Sequence, residues 1–260
     1  MKIAAIAFTA SALLAQQPQG SGVNLYSREK ELALGRSLAA EMKRTSPPIG
    51  NPRAAAYVAG AGRRIAAVIG GGPEFSWEVI TANGAGSHEP AGLPGGTVLV
   101  PASLIAASES EDEFAAMLAH AMAHSAERHG TRQATRGELA GAPAIPLIYM
   151  GGWTGFGQLG AILIPTGFAQ FARKFELEAD RLAALWTAEA GWDASALGRY
   201  LERTIEDDSR NQAMPTKRER LEGLSGAPSR EPSLPSAFVE IRDELRAGRP
   251  AVNAPPKRKR

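Results

Sequence analysis

Three of the chain's four histidines fall within ten residues, in HAMAHSAERH at 120–129. His120 and His124 stand four apart. On a helix that spacing puts both imidazoles on one face, about 6 Å apart along the axis. Two histidines so placed can grip one tetrahedral Zn²⁺. His129, five positions further, falls about 140° round the same helix and is expected to point elsewhere. An HxxxH pair alone says little, because exposed helices carry such pairs by chance. A second segment adds to it: FELEAD at 175–180 sets Glu176 and Asp180 on one face of another predicted helix. A zinc site of this kind wants a third protein ligand and a carboxylate that orients an imidazole. Glu176 suits the first role and Asp180 the second. The plainer alternative is a solvated charged face, since Lys174, Glu178 and Arg181 are close by. The chain has no cysteine, which excludes thiolate ligands, disulfides and a cysteine nucleophile.

The elements that must position these groups are mostly helical. Good helix formers run from Ser27 to Arg44 and stop before Pro47–Pro48. A second helix fits Pro52 to Ile69, closed by Gly70–Gly72. Phe75 to Thr81 alternates and suits a strand. Leu93-Pro94-Gly95-Gly96 reads as a turn leading into a strand at Thr97 to Val100. Ser110, with Glu113 three residues on, forms a capping box for the histidine helix. Phe114, Met117, Leu118 and Met122 give that helix its apolar stripe, and Gly130 is expected to end it. Further helices fit 168–190, 194–206, 216–224 and 235–247.

The ends of the chain carry separate signals. Lys2 followed by an uncharged run from Ile3 to Ala15 reads as a signal peptide over 1–15, implying export to the periplasm or cell envelope. The run is too short to span a bilayer, which takes about 20 residues. The formal net charge is +2, but four of the positive residues are Lys257, Arg258, Lys259 and Arg260. The remainder is slightly acidic and does not look like a nucleic-acid-binding surface. Residues 248–260 read as a disordered basic tail, leaving a domain over 25–247. Residues 141–167 are uncharged and punctuated by Gly and Pro. This argues against a continuous membrane helix and for a buried or lid-like segment, with peripheral membrane contact as the other reading.

Taken together, EKELALG at 29–35, LPGGTVLV at 93–100, EFAAMLAHAMAHSAERHG at 113–130, FELEADRLA at 175–183, AGWDASALGRYLER at 190–203 and MPTKRERL at 214–221 resemble the HtpX-like and CAAX-prenyl-protease-like zinc metallopeptidases, in their soluble exported bacterial form. The resemblance covers roughly 25–225. It implies an α+β, mainly α, zincin-type (gluzincin) domain with a small sheet beside the HxxxH helix. It also implies one zinc ion held by His120, His124 and Glu176, with Asp180 behind them. Thr97, Val98, Leu99 and Val100 resemble the edge strand that pairs with an extended peptide substrate through backbone hydrogen bonds.

The chain departs from the family where the chemistry is concentrated. The glutamate of HExxH, the general base that takes a proton from the attacking water, is replaced by Ala121. Its Cβ is expected to project toward the space of that water. Met214–Pro215 stands where soluble relatives often carry His-Pro, and a thioether is a poor zinc ligand with no N–H to donate. Glu127 and Glu178 lie too far along or round their helices to replace the base. Glu89, before LPGG, is the best substitute. The expected function is therefore that of a zinc-binding relative of the metalloendopeptidases, weak or inactive as an enzyme, with a polypeptide substrate or client. Two readings remain beside it: an active endopeptidase using a base such as Glu89, and a chaperone-like or structural zinc module.

Overall fold

Ser110 accepts the Glu113 amide through its hydroxyl at 3.3 Å and starts the helix around which the other elements pack. The computed structural model describes residues 22–81, 88–139, 166–205, 214–227 and 229–248. The expected signal peptide, the 141–165 part of the uncharged segment and nearly all of the basic tail lie outside them. In chain order the helices are α1 (Arg28–Thr45), α2 (Pro52–Ala66), α3 (Ala102–Ala107), α4 (Glu111–Ala126), α5 (His129–Leu139), α6 (Thr166–Glu189), α7 (Ala196–Thr204), α8 (Lys217–Gly223) and α9 (Ser236–Ala247). The strands are β1 (Ser76–Ile80), β2 (Ala91–Gly92) and β3 (Thr97–Pro101). A mainly helical α+β architecture with one small sheet is thus what the chain adopts, and no helix among the described residues is long and apolar enough to cross a membrane.

Every residue of α4 from Asp112 to Ala126 is buried. Its many alanines allow this, because neighbouring elements can approach on all sides. The sheet lies on one side, α6 on another, and α2 and α7 complete the shell. Phe114, Met117, Leu118 and Met122 are fully buried, as the apolar stripe predicts. α1 and α2 begin at side-chain caps, Ser27 accepting from Lys30 and Asn51 from Ala54. Gly62 of α2 lies under the Trp77 indole so closely that a Cβ there would fall 2.2 Å from a ring carbon.

Three local expectations fail. The Glu113 carboxylate accepts from the Glu109 amide at 2.8 Å and pairs with Arg203, so only half of the capping box forms. α4 ends at Ala126 rather than at Gly130, and α5, which the sequence did not suggest, begins at His129. Between them Arg128 takes a left-handed backbone, φ 57°. Its guanidinium is tied to Glu31 of α1 at 2.8 Å and to the Tyr26 carbonyl at 2.7 Å, contacts from about a hundred residues away that a local reading cannot supply. The third correction concerns the sheet. Its order is β1-β3-β2, with β1 parallel and β2 antiparallel to β3. Thr97 to Val100 therefore form the central strand, with Val98, Leu99 and Val100 fully buried, and the edges are β1 and β2. A strand with neighbours on both sides has few backbone groups left to pair with a peptide.

β2 is seated directly on α4. A Cβ on Gly92 would fall 1.8 Å from the Ala121 carbonyl oxygen. Gly92→Ala is expected to cost about 1–3 kcal/mol through forced displacement of strand from helix, read as a lower midpoint in urea unfolding. An unchanged midpoint would mean that β2 moves freely over α4.

Candidate metal centre

α4 and α6 bring together what the sequence keeps more than fifty residues apart. His120 Nε2 and His124 Nε2 lie 3.1 Å from each other, and each is 3.5 Å from a Glu176 carboxylate oxygen. All three residues are buried, and their donor atoms lie within 4.8 Å of one another. In a tetrahedral site with bonds of about 2.0–2.1 Å, neighbouring donors are about 3.3 Å apart. The observed separations bracket that edge length, so the trio fits a single metal ion.

Behind His120, its Nδ1 lies 2.9 Å from Asp180 Oδ1, close enough for strong attraction although the ring N–H is not well aligned for a hydrogen bond. Asp180 is in turn held by Arg220 of α8, whose Nε and Nη2 donate to its two oxygens at 2.7 and 2.6 Å. This bidentate fork is buried on both sides. α8 starts from a full capping box, Thr216 with Glu219, and Arg173 of α6 donates to the Met214 carbonyl at 2.7 Å. These contacts fix the segment that delivers Arg220.

Charge in the site is tightly organised. Burial would lower the pKa of His120, but Asp180 and Glu176 outweigh it and raise that pKa to about 9. Burial pushes His124 down to about 3 against the attraction of Glu176, and the charge on His120 adds to the fall. Burial would raise Glu176, yet the imidazoles and Arg220 hold it near 2. Asp180 is likewise kept below the usual carboxylate range against its burial, chiefly by Arg220. The two carboxylates thus attract one positive charge beyond that of Arg220. In the metal-free site the extra proton on His120 supplies it, and a metal cation between the three donors would take its place.

The remaining sequence candidates sort clearly. Ala121 is fully buried between the two histidines, with its carbonyl under Gly92. Glu89 is half-buried, its Oε1 3.9 Å from Arg220 Nη1. Burial raises its pKa, against the lowering effect of the Arg220 guanidinium. Glu127 caps the end of α4, and Glu178 faces His129 at 3.4 Å. Neither reaches the three donors. Two residues escaped the sequence reading. Arg220 sits among charged residues in a short helix, where nothing local distinguishes a buried arginine from a solvated one. On a straight helix His129 would point away from the other two histidines. The bend at Arg128 instead brings its Nδ1 back to 3.2 Å from His124 Nδ1.

The family model of peptidase family M48 matches residues 52–228, well over half of the chain and all of the residues just described. The chain belongs to peptidase family M48. Its fold is accordingly the zincin type, and the metallopeptidase character of the family agrees with the trio of donors. The chain is also similar to a protein of Vibrio cholerae serotype O1 named "Putative beta-barrel assembly-enhancing protease", 26% identical over 191 residues. That match takes in 69% of this chain and 38% of the relative's length.

Arg220→Leu would leave Asp180 as a buried carboxylate without its main counter-charge. The expected loss is about 3–5 kcal/mol near neutral pH, measured by urea unfolding of metal-free protein. Because Asp180's folded pKa is depressed, its pairing stabilises the fold above the ordinary aspartate pKa and is lost as pH falls through the lowered value. The penalty of the variant should therefore shrink in acid. A penalty that does not change with pH would show that the arginine stabilises by packing alone.

Proposed function

We propose that this M48 chain is a zinc-binding protein of the cell envelope with weak or no peptidase activity. The observation that carries the reading is the donor trio at tetrahedral spacing with a buried alanine between its two histidines. His120, His124 and Glu176 would hold zinc, and Asp180, clamped by Arg220, would orient the His120 ring. When bound, the metal would polarise a peptide carbonyl. The chain's own residues can position and neutralise charge around it, but the methyl group of Ala121 cannot accept a proton from an attacking water.

The run at 1–15 supports export. The domain would extend over 25–247, with 248–260 a basic tail, and the client would be a polypeptide rather than nucleic acid. The expected result for purified protein is one zinc per chain by elemental analysis and little cleavage of an unfolded protein, with or without chelator. Zinc absent from protein refolded in its presence would remove the metal reading.

One observation favours a second reading. Glu89 lies two residues before β2, 3.9 Å from the Arg220 guanidinium, and has its pKa raised by burial. A carboxyl whose proton affinity is raised by burial is better suited to taking up and passing on a proton than a solvated one. If the chain does cleave peptides, Glu89 is the first residue to test as the base.

A further inference from the structure

His129 is a buried histidine that the metal reading does not use, and its surroundings give it a specific role. Its Nδ1 lies 3.2 Å from Nδ1 of His124, the nitrogen of that ring that faces away from the donor trio. Its other nitrogen, Nε2, lies 3.4 Å from Glu178 Oε2, near enough for electrostatic attraction although the pair is not aligned as a hydrogen bond. The ring is stacked on Phe175 with centroids 4.4 Å apart and planes 23° apart, and the guanidinium of Arg132 lies 4.6 Å from the Phe175 ring centroid. The backbone turn at Arg128, tied to Glu31 and Tyr26, sets the ring at this position.

Two imidazole nitrogens at that distance can share only one proton, so one donates and the other accepts. A carboxylate accepts only. With Glu178 facing Nε2, the favoured tautomer of His129 carries its proton there and leaves Nδ1 bare. His124 must then carry its own proton on Nδ1 to donate to His129. Its Nε2 is left with a lone pair directed at the point shared by His120 and Glu176.

The geometry points to His129, oriented by Glu178, as the positioning residue that fixes His124 in its metal-binding tautomer. The inference rests on the proposed metal site. His124 and His120 are then served by different partners: Asp180 and Arg220 behind one ring, His129 and Glu178 behind the other. The ring partners of metal-binding histidines commonly set tautomer and orientation in this way, and their loss weakens binding about 10–100-fold.

The test uses the full chain, metal-free, with histidine ring nitrogens labelled and read by long-range NMR. The expected result is the proton on Nδ1 of His124 and on Nε2 of His129. The opposite tautomer of either ring overturns the inference. In parallel, zinc affinity is measured by chelator competition. His129→Phe should bind about 10–100-fold more weakly than the parent protein. His129→Asn, whose side-chain oxygen can accept from His124, should recover most of the loss, which a purely structural role would not produce. Equal affinity in parent and His129→Phe overturns the inference. Should His129→Phe fail to fold, Glu178→Leu serves instead, since that side chain is 26% exposed. It should weaken zinc binding and mix the His129 tautomers, and no change in either would count against the role. A parent that binds no zinc sinks the metal reading, while the tautomers still decide this one.

Discussion

Ala121→Glu is expected to raise cleavage of an unfolded protein substrate by about 10²-fold or more. A positioned general base is typically worth 10²–10⁴-fold, or about 3–5 kcal/mol of barrier. The rest of the site is in place to use it: three donors at tetrahedral spacing, a clamped Asp180, and α4 fixed on nearly all sides. The gain has a structural cost. Residue 121 is fully buried, and its carbonyl lies under Gly92, so a carboxylate must enter a space now filled by a methyl group. The variant should therefore be less stable without metal and regain part of the loss when zinc is added. Met214, held by Arg173 through its carbonyl, sets a second limit. Ala121→Glu combined with Met214→His is the fuller restoration. The assay compares parent, single and double variants, each with and without chelator. Zinc-dependent cleavage at ordinary rates by the parent would refute the inactive reading and make Glu89→Gln the informative mutant.

What the sequence made legible follows the range of the forces involved. Caps and turns are local, and Ser27, Pro52 and Ser110 mark helix starts to within a residue. The i, i+4 spacing of His120 with His124 and of Glu176 with Asp180 is also local, so each pair shares a helix face as expected. Their meeting is a tertiary fact, and the family resemblance supplied what periodicity could not. The failures mark where distant contacts override local rules. Gly130 resembled a helix terminus, yet the break lies at Arg128, held by Glu31 and Tyr26. The family resemblance offered Thr97 to Val100 as an edge strand, and β2, only two residues long in the stretch Glu89-Pro90-Ala91-Gly92 with no strand signature, gave no local sign of a second neighbour. Arg220 was indistinguishable from its charged neighbours until Asp180 was seen facing it.

His124→Ala is expected to abolish zinc binding while leaving the metal-free fold nearly intact, and the physical reason lies in how charge is distributed without the metal. His124 is then neutral, since burial holds its pKa near 3, whereas His120 carries the proton that pairs with Glu176 and Asp180. Removing the neutral ring leaves the pairing of His120 with Glu176 and Asp180 in place. It costs packing and the contact with His129, on the order of 1–3 kcal/mol. Zinc loses far more, because two remaining donors do not make the three protein ligands that such a site requires. The separation is visible in a melting experiment. Any ligand that binds only the native state stabilises it by RT ln(1 + [L]/Kd), about 2.7 kcal/mol at a hundredfold excess over Kd. The parent should therefore melt several degrees higher with zinc than with chelator, and His124→Ala should melt at the same temperature in both. Glu176→Gln tests the same point from α6, and it should also remove the zinc-dependent shift. A shift that survives in both variants would place the bound ion elsewhere on the chain.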